Sequence, residues 1–218
     1  MVDKLTQLNQ EEQSLNESLH ALLTNFEANK RDSGIEKTQL EIIKIALMKL
    51  AIKYEDHVVF DFDGWNTKKK ENRWFISREG EVKLLSNGYN RFYDCKTFDA
   101  VLSATIGGKP FKFYFILKGV ENDGGHQRNV EQELGKYSEC IQRNTDENSH
   151  FFFVLDGTYI NKHIEDLDVC DKYDVTTSDR VKEVVENFIV SVMSNVIEEM
   201  IDLNIHKKYG CETQEVNS

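Results

Sequence analysis

Two side chains nineteen residues apart carry the most specific chemistry in this chain: Asp99 in "FDAVLSATIGG" and Lys118 in "FKFYFILKG". The Gly107-Gly108 pair between two apolar-rich runs predicts a tight hairpin, with Asp99 on its first strand and Lys118 near the end of its second. Side chains alternate faces along a strand, so Ile116 and Lys118 point one way and Leu117 the other. Across the hairpin, Asp99 approaches the face of Lys118. An aspartate, a second carboxylate and a lysine converging on one spot suit phosphodiester hydrolysis. The acids hold Mg²⁺, whose charge stabilises the transition state and acidifies water, while the lysine orients or deprotonates the attacking water.

The elements that must position these groups follow from hydrophobic spacing. Leu5, Leu8, Leu15, Leu19, Leu22, Leu23 and Phe26 predict an amphipathic helix over about Lys4 to Lys30, broken at Ser33-Gly34. A second helix runs from about Lys37 to Tyr54 and is apolar over most of its circumference, so it lies deep against a sheet. Strand-like runs follow at "HVVFDF", "NRWFIS" and "EVKLLS", and then the hairpin. Val130, Leu134, Tyr137 and Ile141 predict a helix over about Gln127 to Arg143. "HFFFVLDG" reads as a strand buried on both faces, with a short strand around Tyr173 to Thr176. Ser178 reads as the N-cap of a long final helix. The sum is one α/β domain over residues 1–210, with an N-terminal helical segment 1–34, a core of about 38–190, and a disordered tail 211–218.

Composition narrows the setting. The 218 residues have no apolar run of membrane-spanning length and a polar, acidic start, which predicts a cytoplasmic protein without membrane contact. Four cysteines, without zinc-site spacing, read as free thiols. The formal charge of −11 makes strong binding of nucleic acid by the isolated chain unexpected, because affinity comes from neutralising phosphates. The densest basic cluster, Lys68, Lys69, Lys70 and Arg73, is either a local phosphate contact or a solvated loop.

These features together resemble the PD-(D/E)xK nuclease superfamily, in particular the cleavage domains of type IIS restriction endonucleases. The resemblance rests on "FDAV", "FYFILKG", "GGHQRNVEQELGKY", "FFFVLDGTYI" and the order of elements from about Thr38 to Ile189. It implies a restriction-endonuclease-like fold: a mixed β-sheet flanked by helices in αβββαβ order, with an extra N-terminal helix and a long C-terminal helix. It also implies a metal-dependent endodeoxyribonuclease acting on double-stranded DNA with Mg²⁺, or Mn²⁺ as a substitute. Carried over by position, the metal is held by Asp99, the backbone carbonyl of Leu117 and an acid on the earlier helix, Glu41. Lys118 is the catalytic lysine, and Gln127 falls where family members often place a glutamine.

The family's second acid position holds Ile116, which cannot ligate a metal. Either the acid has moved to the following helix, as Glu131 or alternatively Glu133, or the site is disabled by decay or by deliberate substitution, or the motif is only a hairpin with a charged edge. Glu131 is preferred because it shares a helix face with Gln127. Glu121 and Asp123 are outside candidates. Asp156 reads as a turn residue or a site residue, and His126 as a helix-start residue. Cutting both strands calls for a homodimer or a separate specificity subunit. The rival function is a non-catalytic DNA-positioning or assembly subunit on a degenerate nuclease fold, and an enzyme acting on RNA or branched DNA is a third reading.

Overall fold

The computed structural model describes residues 2–24, 33–63, 65, 73–85, 97–119, 127–157 and 172–209. In chain order these form α1 (Val2–Thr24), α2 (Ser33–Lys53), β1 (Val58–Asp61), β2 (Trp74–Ile76), β3 (Val82–Leu84), β4 (Ala100–Ile106), β5 (Lys109–Gly119), α3 (Gln127–Gln142), β6 (Ser149–Asp156), β7 (Tyr173–Thr176) and α4 (Val181–Tyr209). No helix among them is long and apolar enough to cross a membrane.

The main sheet has the order β1-β4-β5-β6-β7. β4 runs antiparallel to both β1 and β5, while β5, β6 and β7 are mutually parallel, so the sheet is mixed as expected. Gly107 and Gly108, at φ 56° and 82°, make the tight turn between β4 and β5. Both sit in the left-handed region that glycine enters without a Cβ penalty. The parallel step from β5 to β6 requires a crossover, and α3 supplies it.

Alternation along the strands sorts their side chains into two cores. Phe113, Phe115, Leu117, Phe152 and Val154 pack under α2 and α4, while Tyr114, Ile116, Phe151, Phe153 and Leu155 pack under α3. β6 is buried along its whole length, which explains why its sequence reads apolar without alternation. α1 lies on the outer side of α2, where Leu19 and Leu23 meet Ile35 and Ile42, and Glu12 forms an ion pair with Lys49.

Two differences from the sequence expectation bear on the site. Ser33 and Gly34 do not break the chain ahead of the second helix: they open α2, four residues earlier than expected. That extension brings Ile35 and Glu36 into the first helical turn. In addition, the strands at "NRWFIS" and "EVKLLS" pair only with each other among the described strands, as a separate two-stranded sheet β2-β3. The hairpin docks through a bridge from Phe75 to Thr97 and through Asn144, whose Nδ2 donates to Gly80 O at 2.6 Å.

The last residue of β5 is the seat of α2. A Cβ built on Gly119 falls 2.4 Å from Ile35 Cγ2, far inside van der Waals contact. Gly119→Ala therefore has to push the first turn of α2 away from the sheet. It is expected to destabilise the fold by about 1–3 kcal/mol, the cost of overpacking a filled core, read as a lower urea midpoint.

Candidate active site

The residues that carry the chemistry meet at the end of β5, where the first turn of α2 arrives from one side of the sheet and α3 from the other. Asp99 is the residue just before β4 rather than a residue of that strand, and its surroundings hold it firmly. Its N–H donates to Phe115 O at 2.9 Å, and the preceding Phe98 is fully buried, with its N–H donating to Trp74 O at 2.9 Å. One residue further back, Tyr137 of α3 donates its hydroxyl to Thr97 O at 3.1 Å. The inserted β2-β3 hairpin and α3 thus both fix the backbone that presents the carboxylate.

The carboxylate in turn grips the opposite strand. Asp99 Oδ2 accepts a hydrogen bond from the Leu117 N–H at 2.8 Å. Burial pushes Asp99 up to about 6, against the downward pull of the Lys118 ammonium and of the Leu117 N–H, with Glu36 and Glu133 adding to the rise. Lys118 is mostly buried and its Nζ lies 3.1 Å from Glu133 Oε1 of α3, itself well covered. Burial alone would lower the lysine, but the negative charges of Asp99, Glu133 and Glu36 together outweigh it and hold Lys118 above its ordinary value.

Three of these placements answer the sequence expectations directly. Asp99 and Lys118 converge on the α3 side of the hairpin, as strand alternation requires. Ile116 is a core residue, only 1% exposed among Phe98, Tyr114, Leu134, Tyr137 and Phe153. Glu133, the alternative to Glu131, is the α3 acid seen to reach the lysine. The side chains of Glu131 and Gln127 lie outside the described residues, as do Lys68, Lys69, Lys70, Glu121, Asp123 and His126.

Glu41 requires correction. It is exposed on α2, while Glu36 acts electrostatically on both Asp99 and Lys118. Five residues along a helix amount to about 140° of rotation, so one of these acids faces the site only if the other turns away. Because α2 is apolar almost all round, hydrophobic periodicity gives no facing direction. The usable signal was the first-turn acid in "SGIEK", visible only once the helix is started at Ser33.

Asp156 and Ser178 also depart from expectation. Asp156 is buried at the end of β6 and accepts hydrogen bonds from Gln39 Nε2 at 2.7 Å, Ser178 Oγ at 2.5 Å and Ser178 N–H at 3.1 Å. Ser178 spends its hydroxyl on that carboxylate, and α4 begins three residues later, so the serine is not a helix cap. Burial raises the Asp156 pKa despite the bonds from Ser178 and Gln39.

Arg73 is half-buried immediately before β2. Its carbonyl accepts a hydrogen bond from the Leu85 N–H at 2.6 Å.

Around Lys118 three carboxylates face one ammonium, a net of minus two, and all their donors are hard oxygens. Oxygen donors are the class that Mg²⁺ takes, commonly one or two carboxylates with most of its water retained. Among the described residues, no group of three or more His, Cys, Asp or Glu side chains is placed to hold a metal ion. No protein-family model, curated protein or solved structure matches the chain.

Proposed function

We propose that this chain is a metal-dependent endodeoxyribonuclease of restriction type, built on a restriction-endonuclease-like core. The observation that carries the reading is the convergence of Asp99, Lys118 and Glu133 at the end of the β4-β5 hairpin. The order α2-β1-β4-β5-α3-β6 supports it, since the strands form an antiparallel meander followed by a helical crossover to a parallel strand.

In this reading Asp99 and Glu133 would hold Mg²⁺, with the Leu117 backbone carbonyl as a further ligand and Glu36 contributing negative charge. The bound ion supplies charge stabilisation for the phosphate and acidifies water. Lys118 orients the attacking water. Its raised pKa suits a lysine that works as a charged donor, and Glu133 would be shared between it and the ion. The acid absent from position 116 is thus replaced from the helix. A bound cation would offset the site's excess negative charge and so relieve part of the chain's repulsion toward phosphate. Cleavage of both strands takes two such sites, supplied by a homodimer or by a complex with a separate specificity subunit.

The test is metal-dependent cutting of supercoiled plasmid in Mg²⁺ or Mn²⁺. Wild-type protein is expected to cut, and Asp99→Ala and Lys118→Ala to lose at least about a hundredfold in rate, the usual scale for losing a group that handles a proton or a metal. One observation favours the second reading, a non-catalytic DNA-positioning or assembly subunit. Ile116 is packed as a native core residue and not as an intruder in a polar site. Metal-independent DNA binding without cutting, unaffected by Asp99→Ala, would support that subunit.

A further inference from the structure

Gln39 is fully buried on α2, close to one turn beyond Glu36. Its Nε2 donates twice: to the main-chain oxygen of Lys118 at 3.0 Å and to Asp156 Oδ2 at 2.7 Å. Asp156 lies beside Gly119 in the parallel register of β5 and β6. On its far side it takes both the hydroxyl and the N–H of Ser178, in the turn that leads into α4. A continuous chain of hydrogen bonds therefore runs from the start of α4 to the backbone of the candidate catalytic lysine.

This cluster is a poor choice for stability alone. Gln39 Oε1 is buried with no hydrogen-bond partner among the described residues, and Asp156 carries its carboxyl group into a site that disfavours its charge. Apolar side chains of the same volume would fill this space without either cost. What the polar chain supplies, and a methionine or leucine would not, is a donor aimed at the Lys118 carbonyl.

We propose that Ser178, Asp156 and Gln39 form a buried relay that fixes the Lys118 main chain and thereby holds its ammonium between Asp99 and Glu133. Gln39 is a positioning residue, acting through Lys118. The turn before α4 is its outer anchor, so a partner or strain that moves α4 reaches the lysine along this path. The consequence for catalysis rests on reading Lys118 as the water-orienting lysine, but the relay itself is measurable with neither metal nor DNA.

Trace acetylation at about pH 9, followed by mass spectrometry, gives the reactivity of Lys118 relative to the exposed Lys109 in the same sample. Gln39→Met removes the donor, and Ser178→Ala removes only the outer hydroxyl, away from the site. Releasing the lysine from its seat between Asp99 and Glu133 opens the amine to reagent and raises the Lys118:Lys109 labelling ratio about threefold or more. That rise in both variants, each folded by circular dichroism, is the expected result. An unchanged ratio in a folded variant overturns the relay and leaves a structural clip. Should Gln39→Met fail to fold, Ser178→Ala decides alone. The plasmid assay on wild-type protein fails or succeeds independently, so loss of the nuclease reading would be recognised separately.

Discussion

Ile116→Glu is expected to lose about 3–5 kcal/mol of folding stability at neutral pH and to cut DNA no faster than the wild-type protein. The substitution restores the acid that a PD-(D/E)xK site carries two residues before its lysine, and on the sequence alone it looks like a repair. The structure argues otherwise. Ile116 is 1% exposed and packs with Phe98, Tyr114, Leu134, Tyr137, Phe151 and Phe153 beneath α3. A glutamate there gives up about 0.8 kcal/mol for each lost buried methylene and must also bury its carboxyl group among aromatic rings. It would either stay protonated or pull α3 away, and α3 carries Glu133. Equilibrium urea unfolding reads the loss directly. A variant as stable as wild type that gains cleavage would show that the core around position 116 accommodates an acid and that the second ligand was never relocated.

The second large effect concerns Asp99, whose carboxyl is pushed up to about 6 chiefly by burial. A carboxyl whose folded pKa exceeds its unfolded value of about 3.9 is protonated more readily in the folded chain, so its favourable contribution is full below about pH 4 and is lost as pH rises through 6. At about 1.4 kcal/mol for each pH unit between the two values, the loss amounts to about 2–3 kcal/mol. Asp99→Asn has no such titration, and its amide oxygen can still accept from the Leu117 N–H. The stability of Asp99→Asn minus that of wild type should therefore rise by about 2–3 kcal/mol between pH 4 and pH 8. A difference that stays flat across this range would mean that Asp99 is not held in a charge-disfavouring site. The same variant should be inactive in cleavage, so one substitution trades function for stability, as expected of a site that strains its acid.

Much of this was legible in the chain because single elements announce themselves through period and punctuation. Leu134, Tyr137 and Ile141 form the buried face of α3 as their spacing required, and Gly107-Gly108 fixed the hairpin that sets Asp99 against Lys118. What was not legible depends on how elements face each other. α2 is apolar nearly all round, so nothing in its pattern distinguished Glu36 from Glu41. The β2-β3 hairpin could not be separated from the main sheet, because both kinds of strand carry the same local signals. Ser178 has the local form of a helix cap, yet a buried carboxylate 22 residues away in sequence claims its hydroxyl. Gln39 stands in an apolar stretch where no motif marks it, and only the folded chain shows it joining Lys118 to Asp156.

If an acid from α3 stands in for the one missing at Ile116, Glu133 is the side chain whose loss must matter. The decisive experiment is cleavage of supercoiled plasmid in Mn²⁺ by wild-type protein and by Glu133→Gln, with Glu131→Gln beside them. Metal-dependent nicking by wild type is expected, retained by Glu131→Gln and reduced at least about a hundredfold by Glu133→Gln. Nicking by Glu133→Gln at the wild-type rate would contradict the relocation, and no nicking by any of the three, at low salt where phosphate binding is strongest, would contradict the nuclease itself.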